Sequence, residues 1–331
     1  MQFQNWGEDR FIEHLAKLFP SKDTIVGIGD DSAVIPGENG KAWLVTTDAL
    51  VEGVHFLKDQ IAAKDLGYKT VAVNVSDIAT MGGEPKYAFL SIALPKTADC
   101  FWAQLVIDGI KEACDKWDIL LLGGDTVGSK RDVFLSLTLI GSAIQDKIKY
   151  RDCAQPGDLI CVSGYLGDSG GGLKALQEKT TKTREIQYLI HSHFHPEPSP
   201  KQGIWLAAHN EVHAMMDISD GLDCDLRRLI KKSRTGAEIE TNLIPISPSL
   251  STVSAKEDWN SLQLALVGGE DYCLLLTVAL EAFHKLQHIF QKTFSSSLFP
   301  IGSISDRTDE LVYYKNGQKI QVDYTSYSHF Q

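Results

Sequence analysis

The hydrophobic positions along the chain recur with the period of a helix in some segments and form short apolar runs, typical of strands, in others. The clearest helical pattern covers residues 63–81, where Val71, Val75 and Ile78 recur every three or four residues and Gly82 follows. Further helices are predicted at residues 9–19, 100–117, 173–179 and 201–213. Strands are predicted at residues 42–48, 87–94, 119–122 (expected to be buried), 133–144 and 159–162, and after Asp271. This alternation indicates mixed α and β layers, an α/β (mixed α+β) fold.

A turn-forming segment separates two similar series of elements. Residues 155–158, Gln-Pro-Gly-Asp, favour a turn, and the strand predicted at 159–162 begins the second series. A chain of 331 residues is long enough for two domains. We therefore expect an N-terminal domain at residues 1–147 and a C-terminal α/β domain at residues 148–331.

Turn and loop signals are frequent in the C-terminal half. Asn316-Gly317 lies between two apolar runs and predicts a β-hairpin. Residues 247–254, which contain several Ser and Thr residues, are interpreted as a surface loop. His191, His193 and His195 alternate before a proline-rich segment, and we favour a solvated connector over a zinc site there.

Carboxylates recur beside glycine or threonine where the predicted strands end. Asp30 and Asp31, in the stretch GIGDDSAVI, repel each other and need solvent, a basic side chain or a metal cation nearby. Similar groupings occur in TTD (46–48), GGDT (123–126), DISDG (217–221) and GGED (268–271), and Asp77 lies on the helix predicted at 63–81. A single aspartate is more often a turn or helix-cap residue. The set as a whole predicts divalent cations beside Asp30 and Asp31, because Mg²⁺ takes oxygen ligands.

The charge of the chain narrows the classes of partner. The formal net charge of −11 argues against a nucleic-acid-binding or membrane-binding surface. An acidic protein can nevertheless hold ATP, because Mg²⁺ bound by few protein ligands completes its coordination with phosphate oxygens. The P-loop, the dinucleotide-binding fingerprint and the protein-kinase motifs are all absent, so an ATP site here belongs to another architecture.

The N-terminus and the cysteines suggest a reducing compartment. The sequence MQFQNW lacks the features of a secretory signal, and no apolar run of about 18 residues is present, so we expect a cytoplasmic protein. The six cysteines form no C-x-x-C pair, and we expect reduced, mostly buried thiols.

Several motifs, in this order along the chain, carry a family resemblance. They are GIGDDSAVI, TTDALVEGVHF, NVSDIATMGGEP, GGDT, MDISDGL and GGEDY, followed by YSHF at residues 327–330. Together they resemble the thiamine-monophosphate kinases. That family belongs to the superfamily of aminoimidazole ribonucleotide synthetase, selenophosphate synthetase and a hydrogenase maturation factor.

The resemblance implies a fold and a reaction. The fold would be the two-domain aminoimidazole ribonucleotide synthetase-like fold, with the N-terminal sheet pairing in a homodimer and active sites where domains and subunits meet. The reaction would convert ATP and thiamine monophosphate to ADP and thiamine diphosphate, with several Mg²⁺ ions and with K⁺ as an optional further cation.

The resemblance also implies roles for individual residues. The family's metal positions fall on Asp31, Thr46, Thr47, Asp48, Asp77, Asp125, Asp217 and Asp220. The ATP-contact positions fall on Gly124, Asp125, Arg151 and Ser219. The substrate positions fall on His55, Glu270 and Tyr327. We expect Asp48, Asp77, Asp125 and Asp220 to be the most critical for catalysis.

The expected mechanism follows from the acceptor. A phosphate monoester is largely dianionic at pH 7, so it needs no general base, and direct in-line transfer with Mg²⁺ suffices. Two alternatives remain open at this point. One is another ATP-using enzyme of the same superfamily, which would activate an amide or another acceptor. The other is a non-catalytic module that binds metal or nucleotide.

Overall fold

Two β-sheets and the helices packed on them form the chain. The structure, a computed structural model, describes residues 7–22, 25–322 and 324. The strands are β1 (Ala33–Pro36), β2 (Lys41–Val51), β3 (Glu84–Pro95), β4 (Leu120–Ser129), β5 (Phe134–Ile144), β6 (Leu159–Val162), β7 (Val212–Asp217), β8 (Gly236–Glu240), β9 (Leu274–Val278), β10 (Phe299–Ser305), β11 (Leu311–Lys315) and β12 (Gln318–Ile320). The helices are α1 (Glu8–Leu18), α2 (Ala63–Thr80), α3 (Cys100–Lys116), α4 (Asp168–Gln177), α5 (Arg184–Phe194), α6 (Pro200–Ala207), α7 (Leu222–Ser233), α8 (Pro248–Glu257), α9 (Ser261–Val267) and α10 (Phe283–Phe294).

Each sheet is built from one half of the chain. The first has the strand order β1-β2-β5-β3-β4, and the second has the order β12-β11-β8-β10-β6-β9-β7. In the first sheet β2 and β5 pair antiparallel over eleven residues, while β4 pairs parallel with β3 at the edge. The predicted boundary between residues 147 and 148 falls between the two sheets and stays a prediction.

Helix α2 is buried on nearly all sides. It contacts β2 and β5 of the first sheet, helix α3, and α6 and β7 from the second half of the chain. Val71, Val75 and Ile78 are fully buried, as the sequence pattern predicts. The residues of α2 are buried around most of its circumference, polar ones such as Lys69 and Asn74 included, so the helix is stable only inside the protein. Helix α2 therefore joins the core of the first sheet to the second half of the chain.

Two glycines set the distance between α2 and α3. A Cβ atom built on Gly67 would lie 1.9 Å from the carbonyl oxygen of Val106, and one built on Gly109 would lie 1.9 Å from that of Lys64. Real Cβ atoms do not approach a carbonyl oxygen this closely, so a side chain at either position would push the helices apart.

Several strand and loop predictions need correction. The strand containing Asp48 continues to Val51, and the strand containing Asp125 continues to Ser129, so these carboxylates lie within strands. Residues 120–122 are exposed because β4 is an edge strand. The stretch 268–271 precedes strand β9. Asp217 does end a strand, β7, and the hairpin at Asn316-Gly317 is confirmed between β11 and β12.

Two segments interpreted as loops are helical. Residues 247–254 begin α8, because the Ser247 side chain accepts a hydrogen bond from the amide of Leu250 and Pro248 occupies the first turn. The histidine segment is not a solvated connector, since His191 and His193 lie in the last turn of α5 and His193 is buried.

The six cysteines are all free, as expected, but only Cys114 and Cys161 are buried, whereas Cys100 and Cys153 are exposed. No helix in the described part of the chain combines the length and the apolar character needed to cross a membrane.

The contact between α2 and α3 gives a stability prediction. We expect Gly109→Ala to lower the free energy of unfolding by about 1–3 kcal/mol, because the added methyl group overpacks a backbone contact. Urea unfolding measures this change, with Gln104→Ala on the exposed face of α3 as the control. Equal stability of the two variants would contradict the close packing of the helices.

Candidate active site

Three carboxylates from distant parts of the sequence meet between the two halves of the chain. Carboxylate oxygens of Asp31, Asp77 and Asp217 lie within 4.8 Å of one another. Asp31 precedes β1, Asp77 lies near the end of α2, and Asp217 ends β7. The structure therefore brings together three of the residues that the sequence analysis placed on a metal site.

The charges of this cluster influence one another. Burial, then the charges of Asp48, Asp217 and Asp31, raise the pKa of Asp77 well above its ordinary value. Burial and the charge of Asp31 raise the pKa of Asp217 to about 7. Burial, then Asp220 and Asp31, raise the pKa of Asp48 to about 6. Asp48 and Asp220 therefore lie close enough to add to the repulsion among these carboxylates. The ionised form of the cluster is stable only where positive charge lies nearby.

Hydroxyl groups lie beside the carboxylates and make the cluster rich in oxygen atoms. Thr46 Oγ1 donates a hydrogen bond to Asp77 Oδ2 (2.5 Å), and Ser76 Oγ donates one to Asp217 Oδ2 (2.6 Å). The backbone amide of Asp48 donates to Asn74 Oδ1 (3.1 Å), which fixes β2 against α2. Carboxylates and hydroxyls are hard oxygen donors, so the residues present fit Mg²⁺.

Arginines bind two members of the acidic set. Arg151 Nη2 donates to Asp31, while its Nε (3.3 Å) and backbone amide (3.2 Å) donate to Asp30. The immediate partner of the adjacent Asp30 and Asp31 is therefore a guanidinium group, one of the compensating partners that the sequence left open, and the divalent cation expected beside them stays a prediction. In the same way Arg228 Nη1 donates to Asp220 and to Asp225 Oδ1 (3.1 Å).

Three predicted residues lie away from this cluster. Gly124 on β4 pairs with Leu90 on β3, which pairs with Leu137 on β5, which in turn pairs with Asp48 on β2. Three strand spacings, roughly 14 Å, therefore separate Gly124 from Asp48. Asp125 is exposed on the same edge strand. Thr47 lies on the opposite face of β2 from Thr46 and accepts a hydrogen bond from Thr138 Oγ1 (3.2 Å).

The remaining predicted residues fall in three places. Ser219 adjoins Asp220, and its carbonyl oxygen accepts a hydrogen bond from the amide of Glu270 (2.7 Å). His55 lies in the turn after β2, where its Nδ1 accepts from the amide of Val51 (3.0 Å). Tyr327 lies outside the described residues.

Glu270 lines a cavity of about 340 Å³. The cavity is lined by acidic and aromatic side chains, among them Tyr165, Asp168, Tyr188, His191, His195, Glu197, Asp271 and Tyr272. Tyr272 connects the two regions, because burial and then the charges of Glu270, Asp48, Asp217 and Asp77 raise its pKa. A ligand in the cavity would therefore extend towards the carboxylates.

Sequence reasoning missed two residues that contact Glu270. Lys69 Nζ lies 2.9 Å from both Glu270 oxygens, and His193 Nδ1 lies 3.1 Å from Oε2. Lys69 carries a signal in the sequence, since it lies between Leu66 and Val71 on the apolar face of the helix predicted at 63–81, and a lysine buried there needs a partner. His193 carries no comparable signal, because alternating histidines are common in exposed segments.

The cluster gives a prediction for metal binding. We expect Mg²⁺ to raise the melting temperature at pH 8 by at least about 1.5 °C, the shift that roughly 1 kcal/mol produces in a chain of 331 residues. The folded-state pKa values of Asp48 and Asp217 are raised from 3.8 to about 6 and 7. Ionising these groups therefore destabilises the metal-free fold as the pH rises from about 4 to 7, and a bound cation removes that cost.

The measurement is a thermal melt with Mg²⁺ or with chelator at pH 5 and pH 8. The shift should be smaller at pH 5, where protons compete with the cation. Asp77→Asn should reduce the shift, whereas Asp118→Asn, an exposed control, should not. An equal Mg²⁺ shift in the wild type and Asp77→Asn would exclude this cluster as the metal site.

Comparison with known proteins identifies the family. The family described as "AIR synthase related protein, N-terminal domain" matches residues 29–143, and "AIR synthase related protein, C-terminal domain" matches residues 155–315. These two matches confirm the predicted two-domain α/β fold class.

Individual relatives are similar over nearly their whole length. A thiamine-monophosphate kinase of Buchnera aphidicola subsp. Schizaphis graminum is 38% identical, covering 96% of this chain and 98% of the relative. That of Bacillus subtilis is 32% identical, covering 92% and 94%. The solved structure "AaThiL complexed with AMPPCP and TMP" superposes with a TM-score of 0.87 at 32% identity, covering 99% of each chain. The chain therefore belongs to the thiamine-monophosphate kinase family, within the fold of the AIR synthase related proteins.

Proposed function

We propose that this protein transfers a phosphoryl group from ATP to thiamine monophosphate and releases thiamine diphosphate. The observation that carries the proposal is the convergence of Asp31, Asp77 and Asp217, which lie far apart in sequence, next to a cavity. Relatives at 32–38% identity are named thiamine-monophosphate kinases, and a similar structure is described with AMPPCP and TMP. The six free cysteines fit a reducing compartment, and we propose the cytoplasm.

Mg²⁺ would be held by the carboxylates of the cluster. The proposed ligands are Asp31, Asp48, Asp77, Asp217 and Asp220 with the hydroxyl of Thr46. When bound, Mg²⁺ neutralises the charge of two polyanions that would otherwise repel each other. The same oxygen-rich environment admits K⁺ as a further cation.

The protein residues bind and orient the reactants. Arg151 lies beside the cluster and its planar guanidinium suits phosphate oxygens, so we assign it to the ATP phosphates together with Ser219. The acceptor phosphate is already ionised, so the site needs no catalytic base, and catalysis is positioning for in-line transfer. This account explains why the cluster consists of acids and hydroxyls.

The cavity beside Glu270 suits the organic part of thiamine monophosphate. Its lining combines the carboxylates of Glu197 and Glu270, whose pKa values are lowered by neighbouring positive charge, with the rings of Tyr165 and Tyr188. Aromatic faces and acidic groups both attract a cationic heterocycle, with cation–π contacts of about 0.5–2 kcal/mol. Glu270 would bind the substrate from this wall, and we propose that His55 and Tyr327 contribute further contacts.

A second copy of the chain would supply the residues that lie away from the cluster. Strand β4 is an edge strand of ten residues, nine of them exposed, and it carries Leu120, Leu121, Leu122 and Val127. An exposed apolar edge strand tends to pair with another chain. We therefore propose a homodimer in which the first sheets pair, so that Gly124 and Asp125 reach the other subunit's cluster. Thr47, on the outer face of β2, would lie at the same interface.

The activity has a direct test. The wild type should form thiamine diphosphate from ATP and thiamine monophosphate only with Mg²⁺ present. Asp48→Asn and Asp125→Asn should each lower kcat/KM by at least about 100-fold, because each removes charge that holds the metal-bound phosphates. Asp118→Asn serves as the control. Phosphate release without thiamine diphosphate would instead favour another superfamily reaction, and binding without turnover would favour a non-catalytic module.

The shared active site has its own test. Asp48→Asn and Asp125→Asn chains are co-expressed with different tags, and the mixed dimer is purified through both tags. If each site combines Asp48 of one chain with Asp125 of the other, one site of the mixed dimer is intact, and about half of the wild-type activity returns. No recovery in a verified mixed dimer would place both residues in the same chain's site.

A further inference from the structure

A buried network holds the Glu270 carboxylate from three helices. Lys69, on α2, is 2% exposed, and its Nζ lies 2.9 Å from Oε1 and from Oε2. The same Nζ donates to the carbonyl oxygen of His193 (3.1 Å). His193, on α5, places Nδ1 3.1 Å from Oε2 and 3.0 Å from Oγ of Ser169 on α4. An ionised carboxylate can only accept, so Nδ1 carries the proton in its contact with Glu270.

The side chains of Glu270 and Asp271, two neighbouring residues of one loop, both bind to the surrounding helices. Asp271 accepts hydrogen bonds from the amides of Gly167 (2.8 Å) and Ser169 (3.4 Å) at the start of α4. Glu270 and Tyr272 both adopt positive φ angles, +55° and +47°, which non-glycine residues rarely adopt. Such a backbone persists only where the surroundings determine it, and here the two carboxylates do so.

The network leaves one part of Glu270 for a ligand. A carboxylate offers about four lone-pair sites, two on each oxygen. Lys69 and His193 occupy both sites on Oε2, and Lys69 occupies one on Oε1. Among the residues that the structure describes, no further partner contacts Oε1, so one site on that oxygen remains, and the Glu270 side chain is 26% exposed on the wall of the cavity. A directional acceptor of this kind selects an N–H donor more sharply than a diffuse negative charge would.

We propose that Lys69 and His193 are positioning residues that aim the Glu270 carboxylate at an amine-bearing heteroaromatic group in the cavity. This inference rests on the proposed function, since the aminopyrimidine of thiamine monophosphate is such a group. Lys69 and His193 act through Glu270 and need not touch the substrate. Their loss should weaken binding of thiamine monophosphate while the metal-bound phosphates and ATP are handled as before.

The experiment is a double-mutant cycle on the full chain with ATP and thiamine monophosphate. Lys69→Met and Glu270→Gln should each raise the KM for thiamine monophosphate roughly tenfold, with kcat and the KM for ATP changed less than about threefold. The double variant should be no worse than Glu270→Gln, because Lys69 acts through that carboxylate. Lys64→Met, an exposed position on the same helix, is the control.

His193 is tested by a matched pair. His193→Leu removes the donor and should raise the same KM about fivefold, whereas His193→Asn retains an N–H near the Nδ1 position and should restore it to within about twofold. Lys69→Met leaves a buried unpaired carboxylate and can fail to fold for that reason. In that case the double variant, which removes both charges, is compared with Glu270→Gln, and an equal KM for thiamine monophosphate supports the role of Lys69.

The outcomes separate this inference from the proposed function. Thiamine diphosphate formation by the wild type tests the function alone. Independent, multiplicative effects of Lys69→Met and Glu270→Gln would overturn the inference, as would equal losses in His193→Leu and His193→Asn. A rise in the KM for ATP as large as that for thiamine monophosphate would also overturn it, because it would indicate general disruption of the site.

Discussion

Repulsion among buried carboxylates is the constraint on which the rest of this structure depends. Asp31, Asp77 and Asp217 come together at a partly buried site, and Asp48 adds further negative charge. Folding alone does not favour such a cluster, because burial and like charges both oppose ionisation. The packing around the cluster must therefore hold the carboxylates in place. Helix α2 positions Asp77, and strands β1 and β7 position Asp31 and Asp217. The ionised carboxylates therefore repel one another unless positive charge lies beside them.

Helix α2 connects this acidic cluster to the substrate side. Asp77 lies near its C-terminal end, and Lys69 lies eight residues earlier, a rise of roughly 12 Å along the axis. One helix therefore contributes an anion to the cluster and a cation that fixes Glu270 at the cavity. Because α2 packs against both halves of the chain, the backbone positions of these two residues are fixed by the core. The distance between the acidic cluster, where we propose that the phosphates bind, and Glu270, where we propose that the heterocycle binds, is thus set by one helix.

The carboxylates of the cluster could be predicted from the sequence, whereas the arginine that contacts them could not. Asp77 and Asp217 could be placed on one site because the repeated combination of carboxylate, glycine and hydroxyl indicates a common ligand. The contact of Arg151 with Asp30 and Asp31 could not be predicted, because it joins residues about 120 positions apart through tertiary packing. The ends of strands were misplaced for a related reason. Gly and Asp usually terminate strands, but in β2 and β4 sheet pairing continues through them.

Strand β4 carries both an exposed apolar edge and Asp125, a predicted metal ligand. A long edge strand with exposed leucines is a liability for a single chain, and a protein normally covers or charges such an edge. This one carries GGDT among apolar residues, so the segment that needs a partner is also the segment with a predicted metal ligand. Burying the strand against a second copy would satisfy its backbone and bring Asp125 towards carboxylates that its own sheet keeps roughly 14 Å away. An isolated subunit would then have an incomplete site. Pairing of β4 with a second copy would explain both the exposed edge and the distance of Asp125 from the cluster of its own chain.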